Sequence, residues 1–151
     1  MITVEEYLQF VDKAFDDMAA VLTELGDEAA NRRPPGPGAS PYALVTHCLG
    51  VVEFWAGHLI AGRDVERDRD AEFVAAGEVA ALVARVGAAK EQLRRDLADA
   101  RFDAPLRHRP PAAYTSGVRT STQGAAAVHI FEELAQHLGH LELTRDVLVA
   151  R

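Results

Sequence analysis

The 151-residue chain has one cysteine, Cys48, only two lysines, Lys13 and Lys90, and no excess of positive charge. A single cysteine excludes an internal disulfide and any cysteine-based metal cluster within one chain. Cys48 falls on what reads as the packed face of a helix, so it is expected as a buried core thiol rather than a nucleophile. Acidic residues outnumber basic ones by 23 to 16, a formal net charge of −7. That balance argues against a nucleic-acid backbone or an anionic membrane as partner, and no basic patch with interleaved aromatics offsets it. No apolar run reads as membrane-spanning, and the opening MITVEEYLQF is acidic and amphipathic rather than basic and then apolar. The expectation is a cytoplasmic protein with neither nucleic acid nor membrane as partner. Internal repeats and low-complexity tails are missing as well. What is present is 48% hydrophobic and 26% charged, the balance of a globular protein long enough to bury a core unaided. A single domain over 1–151 is expected.

Four segments carry a helical period. Thr3 with Glu6 forms a capping-box pattern, and Tyr7, Phe10, Val11, Ala14, Phe15, Met18, Val21, Leu22 and Leu25 follow at threes and fours until Gly26. This predicts a first helix over about 4–25. The connector NRRPPGPGAS admits neither helix nor strand interior. Ser40 then reads as an N-cap with Pro41 at the first helical position, opening a second helix to about residue 60 with Gly62 beyond it. The charges of GRDVERDRDAEF predict a solvated crossover. A third helix, weakly marked at its start, is expected over about 78–100. The 102–122 segment, with Pro105, Pro110, Pro111 and Gly117, reads as a long loop, and long loops in compact domains are often functional. A fourth helix should cover about 122–148. Four amphipathic helices, two long connections and no credible strand predict an all-α protein, a four-helix bundle.

The fourth helix bears the chemistry. His129, Glu133, His137 and His140 in HIFEELAQHLGHLELTRD are separated by four, four and three. At roughly 100° per residue they point at 0°, about 40°, about 80° and about 20°, one stripe on one face. Imidazole and carboxylate are donors suited to a divalent transition metal. A histidine in the last turns of a helix can instead answer the macrodipole, and Glu and His four apart can be a surface pair. Four such residues on one stripe shift the balance towards a ligand set. Ile130, Phe131, Leu134, Leu138 and Leu141 define an apolar face roughly 140° from His129, so Glu133 and His137 lie on its flank, between core and solvent. Arg145, beyond the stripe, is a weak candidate for an anionic substrate group and could equally be a structural ion pair.

A further ligand must come from another helix. On the second helix His47 and His58 are eleven apart, only about 20° apart in direction but roughly 16 Å apart along the axis, so they cannot share an ion. His47 lies on the flank of the apolar side marked by Val45, Val52, Trp55 and Leu59. A locally satisfied histidine and a ligand are both open readings of it.

The segment PYALVTHCLGVVEFWAGHLIAG resembles the second helix of the DinB-like superfamily, in the branch near the mycothiol-dependent maleylpyruvate isomerases and related thiol S-transferases. VHIFEELAQHLGHLELTRD resembles that branch's last helix, and RDRDAEF with GEVAALVARV its middle region. The resemblance implies a DinB-like bundle in which His47, Glu133 and His137 hold zinc, with nickel, iron or manganese as alternatives. It also implies a homodimer, and a small-molecule electrophile and a thiol such as mycothiol as partners. His129 and His140 match positions often occupied in that branch; they could orient ligands or contact substrate, and His140 is the first candidate for a catalytic role with Arg145 the weaker one.

Three protein ligands leave a position open, as in catalytic rather than structural zinc. Such an ion could activate water, giving a hydrolase, or a thiol. The resemblance selects the thiol, hence a metal-dependent thiol S-transferase or isomerase. A metal-dependent hydrolase on the same residues and a non-catalytic, stress-related metal-binding protein are the alternatives.

Overall fold

A computed structural model describes residues 2–114 and 121–150. Helix α1 is Val4–Asn31. Helix α2 is Pro41–Val52 and runs on without a break into a π-wound segment, Glu53–Ile60. Helix α3 is the single turn Arg69–Glu72, α4 is Val79–Leu97, and α5 is Gln123–Val149. The four long helices form the predicted bundle: α1 packs on α4 and α5, and α2 lies against α1, α4 and α5. Among the described residues there is no strand.

Local sequence accounts for three of the four long starts. The Thr3 hydroxyl accepts from Glu6 N at 3.1 Å while Thr3 N donates to Glu6 Oε2 at 2.7 Å, a complete capping box. Ser40 caps α2 with Pro41 at its first position, and the Thr122 hydroxyl caps α5 by accepting from Ala125 N. Helix α4 has no cap of its own. Its Val79 N instead donates to the Asp27 carboxylate at 2.7 Å, and Asn31 exchanges two hydrogen bonds with the Gly77 backbone.

The regular winding breaks at Gly26, as expected, and those contacts hold the short helical stretch that follows it. Gly26 adopts φ 66°, a left-handed conformation that glycine takes without a Cβ penalty, and kinks the helix. The chain then makes one more turn, whose Asp27 and Asn31 hold the start of α4.

Helix α2 is the core helix. Pro41–Ile60 has mean hydropathy 1.4 and is long and apolar enough to cross a membrane, contrary to the expectation that no run would be. Yet 83% of that window is buried inside the bundle, so its apolar surface is already taken up by α1, α4 and α5. Opposite it, Ile130, Leu134 and Leu141 of α5 are fully buried. Phe131 departs from the expected apolar face: it is 37% exposed and packs edge-on against Phe10 of α1.

The 102–122 segment is a long loop as expected, although 115–120, with Gly117, lie outside the described residues. Its two ends are zipped: Leu106 N donates to Ser121 O, Gln123 N to Ala104 O, and Gly124 N to Phe102 O. Arg107 is tied to α2, its backbone N to Leu59 O and its Nε to Ile60 O, which satisfies carbonyls at the helix end.

Candidate metal centre

His47 lies in the second turn of α2, and its side chain is only 3% exposed. It faces Glu133 and His137, successive turns of α5 on the flank between core and solvent. His47 Nε2 is 3.4 Å from Glu133 Oε2, and His137 Nε2 is 3.3 Å from the same oxygen. One donor atom from each of the three lies within 4.8 Å of the others.

These spacings suit a metal. Donors held tetrahedrally at roughly 2.0–2.2 Å from zinc stand about 3.3–3.6 Å from one another, the separation seen on two of the three edges. Charge points the same way. Every ion-pair partner of Glu133 among the described residues is an imidazole, from His47, His129 or His137. Hydrogen bonding with His137 and His47 holds its carboxyl well below the usual range, so it is held as an anion.

The second ring nitrogen of His47 faces another carboxylate. His47 Nδ1 donates to Glu72 Oε2 at 2.8 Å, and Glu72 is gripped by Arg67 through Nε at 2.7 Å and Nη2 at 2.8 Å. Phe73 stacks on the His47 ring with centroids 4.5 Å apart. Burial alone would lower the His47 pKa, but the hydrogen bonds with Glu133 and Glu72 outweigh it and hold it above the ordinary histidine value. Burial likewise opposes ionisation of Glu72, and Arg67 and His47 outweigh it, leaving that carboxyl below its usual value. Glu72 and Arg67 correct the picture of a solvated crossover: Glu72 is 7% exposed and the Arg67 side chain 6%.

Beside the three donors is a cavity of about 40 Å³, with Trp55, Arg67, Tyr114 and His129 among its walls. His129 packs on Trp55 at 4.2 Å between ring centroids, and its Nε2 is 3.7 Å from Glu133 Oε1. His140 is exposed, its ring 6.2 Å from that of His137. Arg145 is paired with Asp146 at 2.9 Å and Glu24 of α1 at 3.5 Å. His58 is apart from the donors: its Nδ1 donates to Arg63 O and its ring stacks on His108. The π winding also removes the expected alignment of His58 with His47, because each residue of a wider helix turns through less than 100°. Cys48 is fully buried, and burial pushes its thiol pKa far up, as a core thiol requires.

A family model described as Mycothiol-S-transferase matches residues 6–150. The chain belongs to that family. Its DinB-like bundle is the architecture seen here. The crystal structure of a conserved protein from Enterococcus faecalis superposes with a TM-score of 0.68 at 15% identity, over 100% of this chain and 99% of that one. At that identity the likeness shows the fold alone. No curated protein matches the chain significantly.

Sequence reasoning missed Arg67 and Glu72. They sit among six other charged residues between 63 and 73, and what distinguishes them is a partner, His47, twenty-five positions before Glu72. No local period or cap signals that contact.

Proposed function

We propose that this chain is a metal-dependent thiol S-transferase, which joins a low-molecular-weight thiol such as mycothiol to a small electrophile. The observation that carries the reading is the convergence of His47, Glu133 and His137 in a member of this family. Two imidazoles and a carboxylate suit zinc, and they tolerate nickel, iron or manganese. Such an ion, when bound, would lower the pKa of a thiol at its open position, so that thiolate is present near neutral pH.

The chain's own residues do the rest. Glu133 supplies the negative charge that binds the cation and, being held ionised, does so throughout the neutral range. His47 and His137 supply neutral donors from two different helices. Trp55 and Tyr114 give the adjoining cavity aromatic surface, and Arg67, Arg69 and His129 give it polar groups that could face a thiol or electrophile. The homodimer belongs to the same proposal, supported by an exposed apolar patch of Ile2, Phe10, Val128 and Phe131 around a second cavity of about 550 Å³.

The test begins with metal content of protein purified without added metal. The metallated protein is then given a reactive electrophile with and without thiol. Consumption should exceed that by thiol alone, and the advantage should grow as pH falls below the thiol's own pKa, where free thiolate is scarce. Glu133→Gln should weaken it, since a neutral amide is a poorer ligand. Hydrolysis of activated esters with no thiol-dependent turnover across a broad panel would replace the transferase by a hydrolase.

A further inference from the structure

The two candidate histidine ligands are held very differently. His137 Nδ1 is buried and has no hydrogen-bond partner among the described residues. His47 Nδ1 donates to a carboxylate that is itself clamped by both prongs of a guanidinium. The seat for that carboxylate is cut into α2. Gly50, three residues after His47, has no side chain, and a Cβ there would lie 2.0 Å from Glu72 Oε1 and 2.6 Å from its Cδ. Any other residue at 50 would force the Glu72 carboxylate to shift from this position.

A carboxylate removed from water is costly unless charge and hydrogen bonds replace its hydration. Here a crossover otherwise rich in exposed charge sends one arginine and one glutamate inward, to end on a histidine nitrogen. Core stability alone would be served as well by apolar side chains at those positions.

Resting on the reading of His47, Glu133 and His137 as ligands, we propose that the Arg67–Glu72 pair, seated on Gly50, is a positioning device that sets the metal affinity of the centre. Glu72 keeps the His47 proton on Nδ1, which leaves the lone pair on Nε2, the nitrogen that faces Glu133 and His137. With Phe73 stacked on the ring, the direction of that lone pair is fixed before any ion arrives. An imidazole whose N–H is bonded to a carboxylate is also the stronger donor. His47 is thus the anchoring ligand and His137 the adaptable one.

The experiment measures zinc affinity of the full chain by competition with a chromophoric chelator at fixed pH, with metal-free melting as the folding control. Glu72→Ala should weaken zinc binding about 10–100-fold, and Glu72→Gln by less. Gly50→Ala should reproduce the Glu72→Ala loss although it alters no charged group, and the double variant should lose little more than either single one. In the zinc-loaded protein, nitrogen-15 NMR should find the His47 proton on Nδ1 and a hydrogen-bonded resonance that vanishes in Glu72→Ala and Gly50→Ala. If Glu72→Ala does not fold, because it strands the Arg67 charge, the double variant Arg67→Met/Glu72→Gln removes both charges and should bind zinc at least as weakly as Glu72→Gln. Zinc affinities within about twofold of the parent, or Gly50→Ala and Glu72→Ala losses that simply add, would overturn the proposal. Full zinc retention in both His47→Ala and His137→Ala would instead sink the metal reading on which it rests.

Discussion

At the scale of single residues, His47 is constrained from both sides, and its two nitrogens make opposite demands on pH. In the metal-free protein its pKa is raised, so its contacts with Glu133 and Glu72 stabilise the fold fully below the unfolded histidine pKa, about 6.5. That contribution fades as pH rises through the higher folded value. Below that value the ring carries a second proton, on Nε2, which a metal would have to displace, so affinity should move the other way and tighten over the same rise. The melting advantage of metal-free wild type over His47→Gln should therefore shrink as pH is raised while zinc binding strengthens; parallel trends would contradict the assignment. Replacing the donors themselves should be decisive: His47→Ala and His137→Ala abolish binding, whereas His58→Ala and His140→Ala leave most metal in place. Equal loss from His140→Ala and His137→Ala would mean that the wrong pair has been chosen. Cys48, fully buried with its thiol pKa pushed up, should resist a thiol-specific reagent until the protein unfolds. The Glu133 and His137 side of this centre was legible because a spacing of four puts both on one helix face, and His47 was singled out by resemblance to known relatives. Arg67 and Glu72 were not, because their meaning lies in a contact with another element.

Among the elements, the same division between local and distant signals decides what can be read. Caps at Thr3 and Ser40 are written beside the helices they start. The cap of α4 comes from Asp27, fifty-two residues before Val79, so its start looked weak in sequence. Asp27→Ala should cost about 1 kcal/mol in urea unfolding, as loss of a capping acceptor does, and no loss would show that the Val79 N–H is satisfied otherwise. Gly26 is open to solvent around its missing Cβ, so Gly26→Ala tests conformation alone. It should destabilise by roughly 1–3 kcal/mol, the strain of an alanine at φ 66° and ψ 177°, a region essentially confined to glycine, and a stabilising effect would mean that the kink relaxes into straight helix. The π winding of Glu53–Ile60 could not be anticipated either. Its sequence is as apolar and helical as the turns before it, and the segment packs against α4 and α5.

On the scale of the whole molecule, the centre bridges helices α2 and α5, whose mutual packing is part of the bundle's core. A ligand held by both stabilises the folded state in proportion to its binding. Zinc at one hundred times its Kd should add about 2.7 kcal/mol to unfolding, seen as a higher melting temperature that a chelator reverses. A melting temperature indifferent to zinc would place the ion elsewhere or nowhere. The order of the chain adds a constraint on time. His47 precedes Glu133 by eighty-six residues. At about 5–20 residues per second a ribosome exposes the first ligand roughly 4–17 seconds before the other two are made. Once residue 72 has been made, Arg67 and Glu72 are available to His47, but until α5 follows the nascent chain offers an ion a single imidazole from α2 and nothing from α5. Capture of metal by all three donors would therefore wait on α5, and the cell's supply of ions would be sampled after that helix has been made rather than before.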